Sequence, residues 1–326
     1  MAVLLKPNSS RRTRGASVLA RDVSIQDEIV QLRTRPATLE AVRRRPAPAP
    51  PHSGAAVTAA RQLNRAAGLL ATAVLLDSSV EHYRGSFDNP AMYAPLVVSA
   101  LTLAMSAHGH ADRQHRPRRV RDTTYGLAAL TGLAGTGFHI YNQLKRPPGF
   151  SWQSLFYGAP LGAPMALLLA GLHGMAAERV RDNPPHATPR LFGLPAGRIL
   201  AALTGGGLLG TAGEAGLLHL RGAYHNPFMF APVTAPPVAA ALLVDSAGSA
   251  IPRHPRLTRW WLWLTALLGF IGVGFHAWGV QRAMGGWRNW SQNVLDGPPL
   301  AAPPSFTGLA LAGLAALDLL EDRSND

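Results

Sequence analysis

The chain contains no cysteine among its 326 residues. That excludes a disulfide-stapled scaffold, a thiolate metal site, an iron–sulfur cluster and a cysteine nucleophile. Charge is scarce as well: 15% of residues are Asp, Glu, Lys or Arg, where a soluble domain carries about a quarter. No Walker A loop, strand-borne Gly-x-Gly-x-x-Gly, His-Glu-x-x-His pair or Gly-x-Ser-x-Gly elbow occurs. Nothing therefore marks an independent catalytic domain, and an enzymatic role reduces to that of a non-catalytic subunit.

What is present is apolar and basic together. Hydrophobic residues make up 47%, Gly and Pro number 33 and 27, and the formal net charge is +13. The apolar content argues against a wholly disordered chain. A chain this apolar and this basic separates the two, with apolar segments in a bilayer and basic residues in the connections.

Residues 1–62 read as a basic, Pro-rich, largely disordered tail. Arg11, Arg12, Arg14, Arg21, Arg33, Arg35, Arg43, Arg44, Arg45 and Arg61 face few acids, and Pro46 to Pro51 form a stiff extended linker. A short helix fits Val23–Leu32. No apolar run follows Arg11-Arg12, so a twin-arginine export signal is not supported. The basic residues are scattered without a recognisable nucleic-acid-binding pattern, which argues against DNA or RNA as a partner.

Beyond residue 62 apolar stretches fall at about 64–83, 91–108, 124–142, 157–177, 197–220, 228–249, 259–280 and 300–320. Each suffices to cross a hydrocarbon core about 30 Å thick. The expectation is an all-α polytopic integral membrane protein with about eight transmembrane helices. Arg113, Arg116, Arg118, Arg119 and Arg121, then Arg179, Arg181 and Arg190, then Arg253 and Arg256 lie on the same side as the tail. The other side carries fewer: Arg84, Lys145, Arg146, Arg221, Arg282 and Arg288. The positive-inside rule then places both termini in the cytoplasm. Ala-, Arg- and Pro-rich usage fits a GC-rich bacterium, and hence the inner membrane.

Self-similarity is the strongest signal. The nineteen residues from Asp77 to Pro95 align with Glu214 to Pro232 at an offset of 137, sharing His, Arg, Gly, Asn, Pro, Met, Ala and Pro. The same offset aligns Gly132-Leu-Ala-Gly-Thr-Gly-Phe-His139 with Gly269-Phe-Ile-Gly-Val-Gly-Phe-His276. Gly158–Pro164 matches Gly297–Pro303 at an offset of 139. The expected organisation is two parallel four-helix repeats, 63–177 and 197–322, joined by a cytoplasmic linker, 178–196. Each repeat has an even number of spans, so both keep one orientation and the pseudo-twofold follows the membrane normal.

The repeated polar residues carry the functional readings. His82 and His139, and His219 and His276, fall at one depth near the outer face. Two imidazoles from different helices are what a bis-His b-type haem requires, His82 with His139 and His219 with His276, or His82 with His219 across the pseudo-twofold, with Arg84 and Arg221 placed for its propionates. That gives an electron-transfer subunit or anchor, linked to quinone and serving a dehydrogenase docked on the outer face. Copper is the alternative occupant, on the same imidazoles with Met92 and Met229. From another class comes a proton- or cation-coupled transporter or channel using the intramembrane carboxylates Asp77 and Glu214. The third reading is a cofactor-free structural subunit: a His at a helix end also caps carbonyls, Arg-Gly-x-aromatic-x-Asn-Pro is a natural tight turn, and helix glycines pack neighbouring helices.

Overall fold

The computed structural model describes residues 54–322 except 146, 148, 150, 185, 186 and 250. The expected tail lies outside the described residues up to position 53, including the short helix at 23–32. The helices are α1 Ala55–Arg84, α2 Ala94–Ala111, α3 Arg119–Leu144, α4 Trp152–Tyr157 and α5 Gly162–Arg181, followed by α6 Ala196–Arg221, α7 Ala231–Gly248, α8 Pro255–Arg282, α9 Trp290–Asp296 and α10 Pro304–Asp322. Between α5 and α6 two residue pairs, Arg190–Leu191 (β1) and Leu194–Pro195 (β2), form a minimal antiparallel ribbon. The class is all-α.

Several boundaries move from their expected places. Helix α1 begins at Ala55, so Arg61 belongs to it rather than to the tail. Arg61 donates through Nε to the His110 carbonyl at 2.7 Å, which anchors the start of α1 to the end of α2. The fourth apolar stretch is broken: Trp152–Tyr157 forms its own turn of helix, and α5 then runs to Arg181, into the stretch read as linker.

Four helical stretches are long and apolar enough to cross a membrane: Pro90–Ala111, Pro227–Gly248, Pro255–Arg282 and Pro304–Asp322. Helices α1, α3, α5 and α6 are of similar length, but polar residues or glycines lower their hydropathy. On α8 the outward residues Trp260, Trp263, Leu267, Phe270, Phe275 and Trp278 are all exposed. A stripe of this kind exceeds what a soluble surface tolerates and suits a lipid environment. Helix α10 is the hub: its apolar window is 83% buried, and it packs on α1, α6, α7 and α8. Helix α1 packs in turn on α2 and α5, and α5 on α3.

The interior at one end of the bundle is ionic. Arg121 grips Glu178 with two parallel hydrogen bonds of 2.9 and 2.8 Å, and its third arm reaches Asp112 at 2.8 Å. Arg181 donates to the carbonyls of Asp112 and Gly109 at 2.9 and 2.8 Å and lies 3.7 Å from Glu178. Arg121, Arg181 and Glu178 are all 0% exposed. Next to them the Tyr125 hydroxyl donates to Asn64 Oδ1. Two buried cations meet two carboxylates, and the exposed Arg118 lies 3.5 Å from Asp112 at the rim. Arg121 and Arg181, counted above as connection charges, are thus buried and compensated.

The positions 137 or 139 residues further on carry no such cluster. Asn64, Ser106, Arg121 and Tyr125 give way to Ala201, Leu243, Thr258 and Leu262; Glu178 and Arg181 give way to Leu317 and Leu320. All six replacements are buried. Just outside, the Arg179–Asp122 pair at 3.0 Å is matched by Arg259–Asp318 at 2.8 Å with the signs exchanged between helices.

Breaking a buried ion pair by removing one member costs about 3–5 kcal/mol, whereas replacing the whole set by packed apolar groups is often neutral. Glu178→Gln is therefore expected to lose about that much stability. The combined change Asn64→Ala, Ser106→Leu, Gly109→Ser, Asp112→Ser, Arg121→Thr, Tyr125→Leu, Glu178→Leu and Arg181→Leu is expected to stay within about 2 kcal/mol of the parent. Burial opposes charge on Asp112, but hydrogen bonds from Arg121 and the Gln114 N–H and the charges of Arg121 and Arg181 prevail. They hold its pKa down at about 2, against an ordinary 3.8. This contribution is complete above pH 3.8 and is lost as pH falls through about 2. Denaturation in detergent across that pH range tests both variants; an equal loss in the single and combined changes contradicts the account.

Candidate functional site

The sequence builds the same hairpin twice. Helix α1 ends at Gly85, Asn89 accepts a hydrogen bond from the Ala91 N–H at 2.9 Å, and Pro90 opens a 3-10 turn that leads into α2. Helix α6 ends at Gly222, Asn226 accepts from the Phe228 N–H at 3.0 Å, and Pro227 opens the equivalent turn. Between these caps the backbone is strained. Ser86 and Phe87 have φ of 56° and 48°, and Ala223 and Tyr224 have 54° and 46°. Left-handed backbone at a bulky residue costs roughly 1–2 kcal/mol and persists only where the surroundings hold it. Here backbone hydrogen bonds and aromatic stacking hold it: the Phe87 N–H donates to the His82 carbonyl at 3.0 Å and the Tyr224 N–H to the His219 carbonyl at 3.1 Å, while Phe87 stacks on Tyr93 at 4.4 Å and Tyr224 on Phe230 at 4.5 Å. The strained ring then sets its edge against a histidine, Phe87 at His82 and Tyr224 at His219.

All four histidines make the same kind of bond. His82 donates from Nδ1 to the Met92 carbonyl at 2.7 Å, and His219 to the Met229 carbonyl at 2.8 Å. His139 and His276 donate to the carbonyls of Pro160 and Pro299, both at 2.6 Å. A carbonyl only accepts, so each neutral ring carries its proton on Nδ1 and keeps a lone pair on Nε2. Among the described residues no Nε2 of the four has a hydrogen-bond partner. His139 lies in electrostatic range of His82, and His276 of His219.

The other expected residues are placed as follows. Met92 and Met229 lend their carbonyls to the imidazoles, and their methyl groups press on Gly85 and Gly222. Arg84 is exposed and pairs with Glu81 at 2.9 Å. Arg221 donates to the Leu155 carbonyl at 3.4 Å and lies over the Phe156 ring. Gly132 and Gly135 seat Pro164 and Leu168 of α5, and Gly269 and Gly272 seat Pro303 and Thr307. Those four glycines thus serve close helix approach. Among the described residues no group of three or more His, Asp or Glu side chains converges as a metal site.

The two carboxylates differ. Asp77 makes no hydrogen bond among the described residues and lies in electrostatic range of Glu81 and Glu214. Glu214 reaches across from α6 to the start of α5, where its Oε1 accepts the Gly162 N–H at 2.8 Å. It therefore caps a helix that has no side-chain cap of its own.

Features the sequence analysis did not single out complete the region. A groove of about 900 Å³ lies between α4–α5 and α6, with Gln143, Trp152, Glu214 and Arg221 among its lining residues. Below it a fully buried His173 bridges α5 to Thr204 of α6 at 3.0 Å. The signal that exposes these is the difference between the halves, since Ala67 and Ala312 occupy the positions matching Thr204 and His173.

No protein family, no curated protein and no solved structure matches the chain. Its chemistry is thus read from its own geometry.

Gly162 has no room for a side chain, because a Cβ there would overlap the Glu214 carboxylate. The matching residues of the other set are Ala301 and Asp77: the larger residue goes with the shorter acid. Gly162→Ala is expected to cost about 1–3 kcal/mol by overpacking. Glu214→Asp is expected to cost about 1 kcal/mol by loosening the cap. The double variant is expected to recover most of the first loss, giving a coupling of roughly 1 kcal/mol in a double-mutant cycle followed by thermal unfolding. Strict additivity contradicts direct contact.

Proposed function

We propose that the chain is a membrane-embedded electron-transfer subunit carrying b-type haem on His82 with His139 and on His219 with His276. The observation that carries this reading is the common state of the four rings. Each is oriented by a carbonyl on Nδ1 and presents an unengaged Nε2, the arrangement found at metal-ligating histidines. Strained aromatics fixed against His82 and His219 support it, because backbone strain concentrates where geometry must be held. When bound, haem supplies one-electron chemistry. The chain orients the imidazoles and offers Arg84 as a partner for a propionate, while Arg221 is turned to the Leu155 carbonyl and the Phe156 ring. Copper on the same imidazoles is the competing occupant, and metal analysis separates the two.

In this proposal the eight long helices are eight spans in two parallel four-helix repeats, with both termini cytoplasmic and the histidines near the outer face. The recurring caps, imidazole bonds and sign-exchanged ion pair at fixed offsets support the repeat. A bacterial inner membrane and a dehydrogenase docked on the outer loops complete the picture.

One observation favours a different class. Asp77, with no hydrogen bond and two acids in range, fits a proton or cation path better than a structural role.

The deciding measurement is a dithionite-reduced minus air-oxidised spectrum of protein expressed with haem supplied. A b-type α-band is expected, and His139→Ala and His276→Ala are each expected to remove about half of it. No band overturns the haem reading. A band unchanged in both variants overturns the ligand assignment. Proton flux that is lost in Asp77→Asn, in a protein without a band, establishes the transport reading instead.

A further inference from the structure

The groove between α5 and α6 has a built-in cause. Helices α1 and α10 pack extensively, whereas α5 and α6, at the matching positions, touch sparsely. Where α1 has Leu69, Ala73 and Leu76, α6 has Gly206, Gly210 and Gly213. A Cβ at any of these three glycines would meet nothing within 4 Å. The His173–Thr204 bridge stands where the other interface has two alanines and so separates the helices at the groove's base.

The groove also has a direction. Leu203, Gly206, Gly210, Glu214 and Arg221 all line it and follow one another at helical spacing on one face of α6. Leu168 and Leu172 of α5 face the apolar half. Glu214 and Arg221 mark the polar half, seven residues and roughly 10 Å apart along the axis. Gln143 spends its Nε2 on the Ala159 carbonyl at 2.9 Å, which leaves its Oε1 without a partner among the described residues. Trp152 and Tyr224 bring aromatic rings to the same end.

We propose that this groove binds an isoprenoid quinone, its ring between Glu214 and Arg221 and its tail along Leu168, Leu172 and Gly206. The charge pattern selects the occupant. The head must donate a hydrogen bond to a carboxylate and accept one from a guanidinium. A ring with oxygen at opposite ends fits this: in the reduced form one hydroxyl donates to the Glu214 carboxylate while the other oxygen accepts from Arg221, and in the oxidised form the carbonyl at the Arg221 end still accepts. An anionic phospholipid headgroup there would also face the Glu214 carboxylate, and like charges repel. Flanking aromatics stack on a planar ring. The role of the quinone rests on the electron-transfer reading; its binding does not.

The test is quenching of tryptophan fluorescence by a short-chain quinone, decylubiquinone, titrated into the purified full chain in detergent. Saturable quenching is expected, and Trp152→Phe is expected to remove most of it. Gly210→Leu fills the groove where the backbone has open space, so the protein is expected to fold with an unchanged or higher melting temperature. Its apparent affinity is expected to fall roughly tenfold or more. Gly137→Leu, another open position on α3, is the control and is expected to bind as the parent does. Equal quenching in parent and Gly210→Leu overturns the proposal. So does native mass spectrometry showing a phospholipid held by the parent, lost in Gly210→Leu, and not displaced by quinone. Binding is read without haem, so the two readings fail separately. Gly210-sensitive quenching without an α-band keeps the groove and removes the relay. An α-band with insensitive quenching does the reverse.

Discussion

A polar group in a lipid-facing bundle has no water to bond, so the chain must supply its partner. Most of this structure follows from that constraint. Helix ends are where the shortage is most acute, because the first N–H groups and the last carbonyls have no partner within the helix. The protein answers with side chains sent from neighbouring elements. Imidazoles from α1, α3, α6 and α8 bond carbonyls in the segments that follow them. A carboxylate from α6 caps α5. The guanidinium of Arg181 collects three carbonyls at and just beyond the end of α2. Each contact satisfies a backbone group and ties two helices together. The histidines differ from the others in having a second nitrogen left over.

How much was legible in the sequence depends on how local the cause is. The turns were legible, because Asn, Pro and Gly act through their own backbone preferences, and His-x-Arg-Gly-x-aromatic-x-Asn-Pro recurs. The positive φ at Phe87 and Tyr224 was not, since it depends in part on stacking with Tyr93 and Phe230. The start of α1 was misplaced because Arg61 reads as tail charge until His110 is brought beside it. The buried ion cluster was hidden for a related reason. Arg121 and Arg181 look like connection charges in one dimension and become interior only when Glu178 and Asp112 converge on them. Comparing the halves would have exposed it: Arg opposite Thr or Leu, and Glu opposite Leu, at matched helical positions mark a place where polarity is not required by the backbone.

Two matched interfaces, α1 with α10 and α5 with α6, pack by different means. At the first, Leu70 packs into the space over Gly308; at the second, Leu169 packs into the space over Gly207. The large and small residues have exchanged helices, so this contact is conserved in volume and does not itself open a gap. The opening comes from positions where no exchange compensates: three glycines on α6 facing no enlarged residue on α5, and a His–Thr bridge where the other interface has two alanines. Uncompensated loss of packing costs stability. A fold that balances volume at one contact and leaves it unbalanced one turn away is accounted for most simply if something else fills the difference. Glu214 sits at that boundary, held by the Gly162 N–H at one oxygen and bordering the groove with the rest of its carboxylate. Asp77, its counterpart, has neither the cap nor the groove. The matched helix pairs α1–α10 and α5–α6 differ, and the difference concentrates open volume and a seated acid at the second.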